Sequence, residues 1–114
     1  VSIYLINEFL NIADPTEEDI ANAKYHAQEG NAEAQYHLAL MYDIGKVLPR
    51  NPLEAEKWYK AASASGHAAA KYYLAKMYST QNSGIRRNDS EAEKLFKDAA
   101  ELAYFAENNQ FETI

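Results

Sequence analysis

Residues 31–66 read NAEAQYHLALMYDIGKVLPRNPLEAEKWYKAASASG, and the chain then writes this stretch a second time. A shift of 36 positions carries Ala34, Tyr36, Leu38, Ala39, Met41 and Tyr42 onto Ala70, Tyr72, Leu74, Ala75, Met77 and Tyr78. A shift of 37 carries Asn51, Glu54, Ala55, Glu56, Lys57 and Lys60 onto Asn88, Glu91, Ala92, Glu93, Lys94 and Lys97. The extra residue falls between Tyr78 and Asn88, which makes that segment a loop. A period of this size marks a repeat array, in which each unit buries its apolar face against the next. The expected fold is all-α: an α-α superhelix, or solenoid, of about three antiparallel helix pairs. Such a molecule is a scaffold that binds something.

Bulk properties agree. At 114 residues the chain is large enough for one modest core. Apolar residues make up 47%, nine tyrosines among them, yet no uninterrupted apolar run approaches a membrane span. Four glycines and three prolines suit helices better than a sandwich of short strands. A net charge of −6 argues against a nucleic-acid backbone as the main partner. With no cysteine there is no disulfide framework and no thiolate metal site. The compartment stays open between cytoplasm and periplasm. The chain begins with Val1, as a processed form or an excised segment would, which leaves room for a removed targeting segment.

Taken in order, Val1–Asn11 has rows of apolar residues at helical spacing (Ile3, Ile6 and Leu10; Val1, Tyr4 and Leu5) and reads as a first short helix. Asp14-Pro15-Thr16 starts a second, with Asp14 as cap, Pro15 in the first turn and Glu17, Glu18 and Asp19 favouring an N-terminus. It ends at Gly30. Asn31 caps a third helix to about Asp43, and Asn51-Pro52 opens a fourth that closes at Gly66. A fifth covers His67 to Thr80, and a sixth runs from the Asn88/Asp89 cap to about Glu107. The expected division is one helical domain over 1–107, comprising a degenerate repeat 1–30 and repeats 31–66 and 67–103, followed by a tail at 108–114.

Leu38-Ala-Leu-Met-Tyr42, Gly45, Pro49, Ala55, Trp58-Tyr59, Ala62 and Gly66 together resemble the Sel-one-like repeat family, relatives of the tetratricopeptide repeat. The likeness covers Asn31 to Ala103 well and Val1 to Gly30 only through the closing His26-Ala27-Gln28-Glu29-Gly30. Ala39, Val47 and Asn51 depart from the family's helix glycine, second loop glycine and loop aspartate. In the second copy Gln81 replaces the first loop glycine and Leu95 the tryptophan. The resemblance implies a protein-binding adaptor, most often bacterial, in envelope, secretion, host-interaction or toxin-immunity settings, and no enzymatic activity.

In each first helix of a pair, one apolar stripe packs on the partner helix. The other comprises Glu33, Tyr36, His37 and Leu40, matched by Ala69, Tyr72, Tyr73 and Lys76. In stacked pairs this second stripe is expected on the inner, concave surface. Tyr36, Leu40, Tyr72 and Lys76 are then the candidate contacts for a partner protein or peptide, flanked by Glu33, His37 and Tyr73, since tyrosine anchors interfaces well. The competing reading packs Tyr36 and Tyr72 between adjacent first helices. A different class of role is a structural piece whose inner face is covered by self-association or by a longer array, with Ile3, Tyr4, Phe9, Leu102 and Phe105 as cut surfaces.

Nothing in the sequence looks catalytic. The histidines His26, His37 and His67 include no i, i+4 pair, so a helical metal site of that spacing is absent, and no cofactor is implied. His67 opens a helix, a poor place for an imidazolium. The acidic run Glu17-Glu18-Asp19 is explained by its first helical turn. Arg86-Arg87, with Arg50 in the equivalent loop, is either a clamp for a carboxylate or phosphate or a solvated loop. There is no strand-turn-helix elbow around a serine, no phosphate-binding glycine loop and no HExxH.

Overall fold

A computed structural model describes residues 15–112, with side chains to 107, and five helices lie among them. They are α1 (Glu17–Gln28), α2 (Ala32–Ile44), α3 (Pro52–Ala64), α4 (Ala68–Ser79) and α5 (Asp89–Glu112). The helix expected over Val1–Asn11, and the cap expected at Asp14, fall outside the described residues.

Each start has a local cause. Thr16 caps α1 instead: its Oγ1 accepts from the Asp19 N–H at 3.1 Å, while the Thr16 N–H donates to Asp19 Oδ2 at 3.0 Å. This reciprocal pair satisfies two end groups at once and leaves Pro15 just before the helix. Asn31, Asn51 and Asn88 each present Oδ1 to the N–H three residues on, at 2.9, 3.2 and 3.2 Å. At α4 the cap is His67, whose Nδ1 accepts from the Ala70 N–H at 3.1 Å.

The ends differ more. Gly45 closes α2 at φ 76°, and a Cβ there would sit 2.6 Å from Arg50 Cβ, so both conformation and space demand glycine. The equivalent position after α4 is Gln81, and there the left-handed residue is Asn82, at φ 64°. Helix α5 passes the position equivalent to Gly66, now Ala103, and continues to Glu112, beyond the expected end at Glu107. Residues 103–112 contain neither glycine nor proline, so no local signal stops it before the expected tail.

Helices adjacent in sequence pack together: α1 on α2, α2 on α3, α3 on α4 and α4 on α5. Ala39, Ala55, Ala62, Ala70 and Ala75 are fully buried and allow close approach. Tyr59 fills the space they leave, at 0% exposure. Its hydroxyl donates to Asp43 Oδ2 at 2.9 Å, which satisfies the one polar atom it carries inward. Burial, with Asp43 as acceptor, holds that phenol well above the usual tyrosine range.

The two inter-helix loops are stacked. Backbone bonds at equivalent places, Asn51 N–H to Tyr42 O (2.9 Å) and Asn88 N–H to Tyr78 O (2.8 Å), give both the same frame. Arg50 crosses from one to the other, its Nε donating to Asp43 O at 3.1 Å and its Nη2 to Ser83 O at 2.8 Å. Tyr78 also bridges the repeats, donating its hydroxyl to Glu56 Oε2 at 2.7 Å.

Candidate functional site

The stripe expected on the inner surface is divided by burial. Tyr36, His37 and Leu40 lie inside the fold, whereas Tyr72 and Lys76 are exposed and Glu33 and Tyr73 lie between. Tyr36, at 3% exposure, is covered by the start of α4: the His67 ring stacks on it at 4.6 Å and 30°, and Tyr73 lies 6.0 Å away. Tyr36, His37 and Leu40 thus present almost no surface to solvent in this fold. The reading in which Tyr36 packs between adjacent first helices describes its surroundings.

Glu33 holds this junction together. Its Oε2 accepts from His67 Nε2–H at 2.7 Å, and its Oε1 lies 3.2 Å from His37 Nε2 without the alignment of a hydrogen bond. The His67 tautomer follows from its two partners: Nδ1 accepts from Ala70, so the proton sits on Nε2. Burial pushes the His37 imidazole below its ordinary 6.5, against an opposing pull from Glu33. The two imidazoles address different carboxylate oxygens, and no cluster among the described residues is suited to a metal ion. Burial, with Tyr73 and Glu33 nearby, raises the Tyr36 phenol.

The open part of the stripe is an aromatic surface with a cation over it. Tyr72, 45% exposed, meets Tyr73 edge-on at 5.4 Å and Phe96 of α5 at 5.6 Å. Lys76 Nζ lies 5.7 and 5.6 Å above the Tyr72 and Tyr73 rings. Phe96 escaped the sequence-based list, although the 37-residue shift maps Tyr59 onto it.

A second concavity, a cleft of about 630 Å³, opens on the loop side between Leu53, Glu56, Tyr78, Ile85, Arg86 and Arg87. Arg87 is tied to Asp89 at 2.9 Å and Glu56 to Tyr78 and Lys60. Arg86 makes no hydrogen bond or ion pair among the described residues. Arg50, expected beside this pair, instead spends its donors on backbone carbonyls.

No helix among the described residues is long and apolar enough to cross a membrane. No curated protein shows significant similarity to the chain. A Sel1 repeat protein of known crystal structure from Oxalobacter formigenes superposes with a TM-score of 0.69 at 24% identity, over 85% of this chain and 74% of its own, a likeness of fold. The family model for the Sel1 repeat matches twice, at residues 32–67 and 68–104. Sel1 repeat proteins are typically scaffolds for protein–protein interaction and generally non-catalytic. Two matched repeats, the all-helical stack and the shared caps all lead to one conclusion: the chain belongs to the Sel1 repeat family.

Proposed function

We propose that this chain is a non-enzymatic adaptor that grips a segment of a partner protein on the Tyr72–Lys76 surface. The observation that carries the reading is the exposure of Tyr72, 45% against 3% for its repeat equivalent Tyr36. An aromatic ring held open between Phe96 and a lysine offers a partner apolar area, a hydroxyl and a positive charge in one place. Tyr73 and Glu33 flank the contact, and Tyr36, His37 and Leu40 support it from inside, keeping the ring positions rigid at low entropic cost.

The test is affinity capture from cells of the native organism, comparing wild type with a Tyr72→Ala/Lys76→Ala double variant. Both residues are exposed, so the variant should keep its helicity by circular dichroism. A protein held by wild type and lost by the folded variant supports the assignment. Equal capture by both moves the contact elsewhere, and the loop cleft around Arg86 is then the next surface. An alternative in the same chain is self-association through the exposed rings. A mass that rises with concentration, and falls in the double variant, would favour it.

A further inference from the structure

Three features join the first matched repeat to the second, and each has a counterpart in the second that is left without its neighbour. Tyr36 lies under the His67 and Tyr73 rings, whereas among the described residues the ring and cation contacts of Tyr72 are with Tyr73, Phe96 and Lys76 of its own repeat. Tyr59 stacks with Tyr73 at 6.1 Å and 14° and is fully buried, whereas its counterpart Phe96 remains partly exposed. Arg50 donates to Ser83 O in the following loop, whereas Arg87 turns back to Asp89. Helix α5 does not fill the gap. It runs straight past Ala103, where α3 had ended and Gly66 turned the chain back, and Tyr72 stays open beside it.

The geometry points to an unfilled copy of the inter-repeat junction at this end of the stack, which takes one helix of a different protein, seated on α4 and α5 as α4 sits on α2 and α3. This rests on the preceding reading of the Tyr72–Lys76 surface and specifies its occupant. The occupied junction supplies the template. Helix α4 enters with a planar ring as N-cap, a first turn of small residues (Ala68-Ala69-Ala70), and a second aromatic, Tyr73, six positions after the cap. The cap ring covers Tyr36 and the second ring covers Tyr59. A partner helix of this pattern lays its first ring on Tyr72 and its second on Phe96.

Charge narrows the partner further. Buried Leu40 has Lys76 as its counterpart, and the carboxylate of Glu33 is replaced by Ala69. The open face has thus exchanged an apolar residue for a cation and lost an acid, so the matching helix is acidic along its edge. A second copy of this chain is the poorer occupant. The matching helices α2 and α4 are already packed in their own stack.

The experiment uses a labelled synthetic peptide with the sequence of residues 66–79, held helical by a lactam bridge on its outer side and checked by circular dichroism. A second peptide has one added change, Leu74→Glu or Lys71→Glu, to supply an acid. Each is titrated with the full chain by fluorescence anisotropy. Saturable binding is expected, at least tenfold weaker with Tyr72→Ala or Phe96→Ala chains and with a peptide carrying His67→Ala and Tyr73→Ala. An Arg86→Ala chain should bind as wild type does. Because Phe96→Ala tests a partly buried ring, Tyr72→Lys serves as the variant with the least risk to the fold. Absence of binding by the helical peptides, or binding indifferent to Tyr72, overturns the proposal. If that happens while the Tyr72→Ala/Lys76→Ala variant still loses its captured partner, the surface binds something other than such a helix. If capture is also unchanged, both readings fall.

Discussion

The two matched repeats share residues at position after position, yet Tyr36 is buried and Tyr72 is not, Tyr59 is enclosed and Phe96 is half open. Their own helix pairs are built alike, with an asparagine cap on each second helix, buried alanines and the same backbone bond closing each loop. What differs is the neighbour. The first repeat has α4 stacked on it; among the described residues no helix lies on the corresponding face of the second. In a solenoid, stability is shared between units and the junctions between them. The same side chain therefore stabilises the fold in one copy and remains available for recognition in the other.

The largest effect should separate Tyr59 from Phe96. Tyr59→Ala removes a fully buried ring and leaves Asp43 without its donor, and should cost about 3–5 kcal/mol in urea unfolding. Phe96→Ala, which opens a site already reached by water, should cost about 1–2 kcal/mol. Equal losses would break the comparison. Tyr36→Ala and Tyr72→Ala should repeat the contrast more gently, about 3 against under about 1 kcal/mol.

Next comes the turn after each first helix. Gly45→Ala forces a side chain into left-handed backbone and against Arg50, and should destabilise by about 2 kcal/mol. Gln81→Gly at the equivalent place should stay within about 0.5 kcal/mol, since that turn uses Asn82 instead. Smaller again is the loop clamp. Arg50→Ala should cost about 1 kcal/mol by unmaking two bonds to carbonyls, while Arg87→Ala, which loses only an exposed pair with Asp89, should be near neutral.

The last contrast is one of pH, between His37 and its counterpart Tyr73. Burial favours neutral His37, so the unfolded chain takes up this proton first as pH falls. Stability from this group is fully present above about 6.5 and declines below it, toward the lowered folded value. Unfolding midpoints measured from pH 7.5 to 5 should fall with acid, and His37→Gln should flatten part of that slope. A Tyr73→Gln chain should keep the wild-type slope even though it is less stable.

Much of this was legible in the residues themselves. Asn31, Asn51 and Asn88 announced three caps, Gly45 and Gly66 two ends, and the 36- and 37-residue shifts placed the loop insertion and the stacking order. These signals are local or periodic, so a single sequence carries them. The expected cap fell two residues early because the reciprocal Thr16–Asp19 pair, four residues long, was not read as a capping box.

Sequence alone thus determined an all-helical Sel1 array, the 36- and 37-residue periods within it, and the stripe on which function would be sought. Only the tertiary structure decided which members of that stripe face water. Tyr36 and Tyr72 are the same residue in the same register, and the exchanges around them (Glu33 for Ala69, His37 for Tyr73, Leu40 for Lys76) do not by themselves say which ring is covered. Burial is a property of what packs against a face, and for Tyr36 that is the start of α4, with His67 stacked on its ring and Glu33 reaching across to hold it.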